Sequence, residues 1–395
     1  MKRFAARYIY TLESEKPLIN AFVECEDDGT ILRTGWCDDI LGEDNFISGA
    51  IVPGFVNAHC HVELSYMKGM FRKGTGMTGF IDQINALRDN TPKEKIIDDI
   101  RLWMDKMWKS GVSAMADISN CDDSFAIKAE SPLYTRTFLE VFGTEPADCE
   151  SVMASVEKLR QRAAAYGLDA APTPHACYTM SPELVTAASA EGLKSGYLSY
   201  HSEESDEEEE MLKYGRGPMW DNRVAAGMST PPVTGKSSLL YFLDRLQKAH
   251  PAPFDEHILL VHEVCMDQEG IDAVKAIMKH PFVAMCPMSN IFIHNALPPV
   301  ELLRRSGITL ALGTDSLSSN DDLNMVTEMF CLQENFPDVP LNEILTWACL
   351  GGAEFLGKSD KLGTIAEGKC PGLVAITGLS TEGKLTTASK SERLV

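Results

Sequence analysis

The chain runs to 395 residues, 44% of them hydrophobic and 24% charged, and carries a formal net charge of −21. A chain of this length buries a large core, and an α/β barrel uses about 250 residues in one piece. The acidic balance argues against the basic surfaces that nucleic acids and anionic membranes require, and no stretch nears the roughly 20 apolar residues of a membrane span.

At the N-terminus, Met1-Lys2-Arg3-Phe4-Ala5-Ala6-Arg7-Tyr8 lacks the long apolar core of a signal peptide. Eleven scattered cysteines form no C-x-x-C pair, and the two features together predict reduced thiols in a cytoplasmic enzyme. Residues 1–50 hold short strand-like pieces with turn signals at Asp27-Asp28-Gly29 and Leu41-Gly42-Glu43. A predicted strand over Ile51–Ala58 then runs into Pro53-Gly54-Phe55-Val56-Asn57-Ala58-His59-Cys60-His61. Residues i and i+2 of a strand point to one side, so His59 and His61 can converge as two imidazole ligands need to. The glycine-rich loop from Lys73 to Phe80 is a candidate lid.

Further predicted strands follow at Val112–Ile118, Tyr134–Val141, Asp169–Pro174, Tyr197–Tyr200, His257–Val261, Phe282–Cys286 and Thr309–Gly313. Helical segments at Lys93–Lys109, Glu150–Tyr166, Pro182–Glu191, Gln268–Lys279 and Pro299–Arg305 separate them. Eight β-then-α repeats over about 260 residues predict an α/β fold, a (β/α)8 TIM barrel with its active site at the carboxyl ends of the strands. From Gly357 the tail returns to the style of the first fifty residues. The expected organisation is a barrel over residues 51–356, with 1–50 and 357–395 pairing into one small sheet domain.

Five histidines and an aspartate fall at the carboxyl ends of those strands: His59, His61, His175, His201, His262 and Asp315. His250, His257, His280 and His294 do not share the pattern and are expected at the surface or in packing. Three neutral imidazoles and a carboxylate suit one divalent ion, zinc first and iron(II) as the alternative. The acidic run Asp206–Glu210 reads as a solvated helix start, whereas Glu204 lies beyond a strand end where the chain turns. Gly235-Lys236-Ser237 lacks the first glycine of a phosphate loop, because Thr230 stands in its place.

The chain resembles the amidohydrolase superfamily, in the branch of cytosine deaminases, S-adenosylhomocysteine and aminodeoxyfutalosine deaminases and triazine chlorohydrolases. The motifs are Pro53 to His61, Pro174-His175-Ala176-Cys177-Tyr178-Thr179-Met180-Ser181-Pro182-Glu183-Leu184, His201-Ser202-Glu203-Glu204, Leu260-Val261-His262, Cys286-Pro287-Met288-Ser289-Asn290 and Gly313-Thr314-Asp315-Ser316. The resemblance implies that His59, His61, His201 and Asp315 hold the metal and that His262 hydrogen-bonds the attacking water. It also implies that Glu204 shuttles protons and that the chain ends form a composite β-sandwich. Two-metal members carry a carboxylated lysine after strand four; Thr173-Pro174-His175-Ala176 has none, so one ion is expected and His175 becomes a substrate contact. Cys370-Pro371-Gly372-Leu373 departs from the common Ala-Asp-Leu of the family, away from the chemistry.

Glu63, in His61-Val62-Glu63-Leu64-Ser65, and Arg136 are further candidates for substrate contact. The expected activity is metal-dependent hydrolytic deamination of the 6-amino group of a 5′-modified adenosine: S-adenosylhomocysteine, methylthioadenosine or aminodeoxyfutalosine. The alternatives are a deaminase of free cytosine or guanine, and a chlorohydrolase or cyclic amidase of another heterocycle. A non-catalytic scaffold would leave the intact ligand set and Glu204 unexplained. The partner is thus a small heterocyclic substrate, with neither nucleic acid nor membrane, and a homo-oligomer is left open.

Overall fold

In the computed structural model, which describes residues 1–38, 42 and 45–395, fourteen strands make three sheets. Both chain ends enter the first. Strands β1 (Lys2–Ile9), β2 (Leu18–Cys25), β3 (Ile31–Trp36) and β4 (Phe46–Pro53) are joined by β13 (Leu373–Thr377) and β14 (Lys390–Arg393), in the order β14-β13-β4-β1-β2-β3. Alternation divides its faces. Ile51 and Leu373 pack with Ala6, Ile9 and Val23 on one side, while Val52, Val374 and Ile376 join the main core on the other. The ends therefore meet in a single six-stranded sheet among the described residues, and the sandwich expectation is corrected to that extent. Leu41 and Glu43 of the second expected turn lie outside the described residues.

The remaining strands form two parallel four-stranded sheets. One contains β5 (Phe55–Cys60), β6 (Val112–Ser119), β7 (Tyr134–Val141) and β8 (Asp169–Pro174). The other contains β9 (Tyr197–Ser202), β10 (His257–His262), β11 (Pro281–Met285) and β12 (Thr309–Leu312). The two sheets touch at both edges. Thr314 and Asp315 donate their backbone N–H groups to the His59 carbonyl, each at 3.0 Å, and His201 N–H donates to the His175 carbonyl at 3.0 Å. The result is a TIM-barrel-like α/β fold.

The periodicities explain why these segments fold as they do. In the helix Lys93–Lys109, Ile100, Trp103, Met104 and Met107 are buried, the i, i+3, i+4, i+7 stripe of one helical face. Strand residues Val56, Ala58, Ala114, Ala116, Leu259, Val261, Ala284 and Ala311 form a separate cluster of mostly small side chains, into which Phe355 packs. Residues between them, such as Met115, Leu260 and Leu310, face the main core.

The first predicted strand needs a correction. Ile51–Pro53 belongs to β4 in the end sheet, and the first barrel strand starts at Phe55. Gly54 makes the break. A Cβ there would collide with Ser113 Oγ and the Pro371 carbonyl, so only glycine lets the two sheets approach this closely. No helix among the described residues is long and apolar enough to cross a membrane.

Candidate active site

The metal-candidate side chains meet at the carboxyl ends of the strands. His61 Nε2 lies 3.2 Å from His59 Nε2 and 3.3 Å from His201 Nε2. Asp315 Oδ1 stands 3.8 Å from His59 Nε2 and 3.6 Å from His61 Nε2. Convergence of the first pair owes something to a local irregularity. The β5–β6 register shifts between Asn57 and Cys60, and His61 lies just past the strand, so a bulge as well as the i, i+2 alternation aims the rings. Gly313 allows β12 to lie against β5, since a Cβ on it would stand 2.7 Å from His59 Cβ.

Each group is held from behind. Asp315 Oδ2 accepts hydrogen bonds from Ser289 Oγ at 2.6 Å and Ser319 Oγ at 2.9 Å, which leaves Oδ1 turned to the histidines. His201 Nδ1 lies 3.2 Å from the His175 carbonyl and 3.8 Å from Glu140 Oε1. A proton on Nδ1 therefore leaves the Nε2 lone pair facing the cluster. The turn after His61 is fixed by Asp117, whose Oδ1 accepts Val62 N–H at 2.8 Å. Asp117 is in turn paired with Lys128 Nζ at 2.5 Å, both side chains fully buried. Removing one partner of such a pair typically costs about 3–5 kcal/mol.

These residues fit a divalent ion. Nitrogen ligands about 2.0–2.1 Å from zinc in a tetrahedron stand about 3.3–3.4 Å apart, close to the spacings between the Nε2 atoms. Burial, reinforced by neighbouring histidines, holds His59 and His201 well below the usual imidazole range, and a neutral ring is the ligand form. Burial opposes ionisation of Asp315, but His61, His262 and the Ser289 hydrogen bond outweigh it and lower its pKa. His59–His201–His262 and His61–Glu140–His201 also lie within 4.8 Å of one another. In those sets His262 Nε2 faces Glu204 Oε1 at 3.5 Å, and Glu140 Oε1 stands 3.8 Å from His201 Nδ1.

Glu204 lies against the same cluster. Tyr178 donates to its Oε2 at 3.2 Å, and burial, then the Asp315 charge, raise its pKa well above the carboxylate range. His262 is held by Asn290 at Nδ1, 3.2 Å away, and burial lowers its pKa to about 4. His175 lines the pocket, with Nδ1 2.7 Å from Thr179 Oγ1 and Nε2 3.6 Å from Glu140 Oε1; burial lowers its pKa to about 3.

Two expected substrate contacts lie elsewhere. Arg136 is the third residue of β7, opposite the Asp169 that opens β8, and so near the amino end of the sheet. Its guanidinium pairs with Asp169 at 2.7 Å and covers the Tyr197 ring at 4.0 Å. Glu63 is buried behind the pocket wall, accepting Asn120 N–H at 2.9 Å and standing 3.8 Å from Arg88. The pocket is lined instead by Arg88, Asn120, Glu140 and Tyr178 among others. Glu140 ends one residue short of the β7 terminus, so the strand-end rule that found the histidines also points to it.

The acidic run is not simply solvated. Glu208 is buried, and it accepts Glu204 N–H at 2.8 Å and the Ser238 hydroxyl. Glu207 accepts Thr78 N–H at 2.9 Å, fixing the start of the helix Gly76–Leu87. The candidate lid is further tied by Lys73 to Asp321 at 2.5 Å and by Gly74 N–H to the Phe292 carbonyl at 2.8 Å. Burial lifts the Glu208 carboxyl from 4.5 to about 8. The folded protein then holds a proton that the unfolded chain releases, so this group's contribution to stability is full below about pH 4.5 and is lost as pH rises to about 8. Glu208→Gln should flatten the fall in Tm across that window in metal-free protein. An unchanged slope would assign the decline to other carboxyls.

A pocket that sets a buried acid beside an N3O donor set is equipped to activate water and to hand a proton to a leaving group, which is the work of a metal-dependent hydrolase. Residues 50–392 match the model of the Amidohydrolase family, and the chain belongs to that family, hydrolases acting here on carbon–nitrogen bonds. It is similar to the 5-methylthioadenosine/S-adenosylhomocysteine deaminase of Moorella thermoacetica, 26% identical over 358 residues, 87% of this chain and 77% of that one. It is also similar to the aminodeoxyfutalosine deaminase of Nitratiruptor sp., 28% identical over 285 residues, 71% of this chain and 66% of the relative. Among solved structures, the Helicobacter pylori aminofutalosine deaminase in complex with methylthio-coformycin aligns over 100% of both chains, with a TM-score of 0.77 at 21% identity. That likeness is one of fold.

Proposed function

We propose that the chain is a hydrolytic deaminase that releases ammonia from the 6-amino group of a 5′-modified adenosine. S-adenosylhomocysteine, methylthioadenosine and aminodeoxyfutalosine are the candidate substrates, and the relatives at 26% and 28% identity support that class. The observation that carries the reading is Glu204, a buried carboxyl disposed to hold a proton, 3.5 Å from His262 and beside the histidine cluster. In this reading His59, His61, His201 and Asp315 hold one ion, zinc or iron(II), in an eight-stranded barrel working in the cytoplasm. When bound, such an ion lowers the pKa of water toward neutrality and so supplies hydroxide.

The chain's own residues do the rest. Asp315 and His262 accept the proton of the attacking water and orient it toward C6 of the purine. Glu204 delivers a proton to N1 as the C6–O bond forms, which removes the ring's negative charge. The proton taken from water passes to the C6 amino nitrogen, the C6–N bond breaks with loss of ammonia, and the C6 hydroxyl returns its proton to Glu204 as the carbonyl forms. The product is the corresponding inosine derivative.

Ammonia release from the three nucleosides, cytosine and guanine tests the assignment. A metal-loaded enzyme that ignores all three nucleosides yet deaminates cytosine or guanine refutes it. His175→Ala should weaken use of the nucleosides at unchanged metal content. Loss of the ion in that variant would make His175 a support of His201 and not a contact.

A further inference from the structure

The helix Gly76–Leu87 and the residue after it present one stripe to the pocket: Met77, Phe80, Ile81, Ile84, Asn85 and Arg88. The spacing of alternating three and one is that of a single helical face, and it spans roughly 16 Å at 1.5 Å per residue. Its chemistry changes along its length, from four apolar residues to an amide and a guanidinium. Of the described side chains lining the pocket, Arg88 alone is a lysine or arginine, and Glu140, Glu204 and Asp315 line it too.

Arg88 is anchored but not used up. Its carbonyl accepts the Tyr66 hydroxyl at 2.8 Å, and its Nη2 donates to Asn120 Oδ1 at 3.0 Å. Glu63 stands 3.8 Å from Nη2, beyond hydrogen-bond range, and its oxygens already accept from the Asn120 and Cys121 backbone. Among the described residues Nε and Nη1 have no partner, and the side chain is 35% exposed. Asn120 also donates from Nδ2 to Glu140 Oε2 at 2.8 Å, so the Arg88 head is tied by two hydrogen bonds to the carboxylate beside His175 and His201.

We propose that Arg88 selects the substrate by its distal charge, receiving a carboxylate at the end of an apolar 5′ substituent that lies along Phe80, Ile81 and Ile84. This rests on the adenosine reading above. Adenine and ribose are neutral, so an anion facing Arg88 has to come from the 5′ substituent. With one of its five N–H donors engaged, the guanidinium keeps four for an incoming carboxylate, and the surrounding acids leave an anion no other favourable place.

The test uses two adenosines that differ only at that end, one carrying a propylthio and the other a carboxyethylthio group on the 5′ carbon. Calorimetric Kd values and kcat/KM are measured on metal-loaded wild type, Arg88→Gln and Arg88→Lys, with metal content checked in each. Wild type should bind the acid ~10–100-fold more tightly than the propyl compound, the scale of one charged hydrogen-bonded pair. Arg88→Gln should abolish that preference while moving the Kd of the propyl compound by less than about threefold, and Arg88→Lys should restore part of it. Equal binding by wild type, a preference that survives in Arg88→Gln, or an equal loss for both compounds overturns the assignment. Binding of neither compound overturns it as well. Absence of ammonia release with the Kd pattern intact overturns the deaminase reading and leaves Arg88 standing.

Discussion

His201→Ala should leave the protein without its ion and without measurable turnover. His201 supplies the Nε2 that lies 3.3 Å from His61, and its other nitrogen is held between the His175 carbonyl and Glu140. Loss of a group that merely supports a ligand costs about 10–100-fold in affinity, and loss of the ligand itself should exceed that. Metal analysis after dialysis against a weak chelator reads the outcome directly. Two tightly held ions of equal occupancy in wild type would sink the one-ion assignment. Retention of one ion by the alanine variant would move His201 out of the ligand set.

Glu204→Gln separates the chemistry from the metal. The amide keeps the size of the acid and can still accept from Tyr178, but it cannot give up a proton to N1. Turnover should fall by at least ~100-fold, the scale of general acid–base catalysis, at unchanged metal content and similar substrate affinity. Near-normal turnover would remove Glu204 from the mechanism. The raised pKa matters here, because burial, then the Asp315 charge, favour a carboxyl that begins the cycle holding the proton it must deliver.

The barrel strands were legible because each is a short β-rich run between turn signals, and the candidate cluster because strand ends share one rim. What escaped was whatever depends on a distant neighbour. Ile51-Val52-Pro53-Gly54-Phe55 is apolar almost throughout, and no periodicity marks that Pro53 and Phe55 serve different sheets; the Ser113 and Pro371 atoms crowding Gly54 do. Arg136 and Glu140 occupy the same strand, and only its two ends, fixed by pairing with β8, tell amino side from carboxyl side. Charge counting placed Glu207 and Glu208 in water because their partners, Thr78 and Ser238, come from other segments. Glu63 sits two residues after His61 but in a short helical turn that points it at Asn120.

The join between β5 and β12 sets an order of events in the life of the chain. Asn57 and Thr314 clasp one another through two hydrogen bonds, at 2.8 and 3.0 Å, across 257 positions of sequence. Beside that clasp, His59 and His61 wait for Asp315. Contacts so remote in sequence close late, after most of the loop entropy has been lost. In the one-ion reading proposed above, a chain still short of β12 would present His59, His61 and His201 without Asp315. The full donor set of that reading comes into being only once the segment after β12 lies against β5, and the choice among competing metals would then fall to the folded molecule.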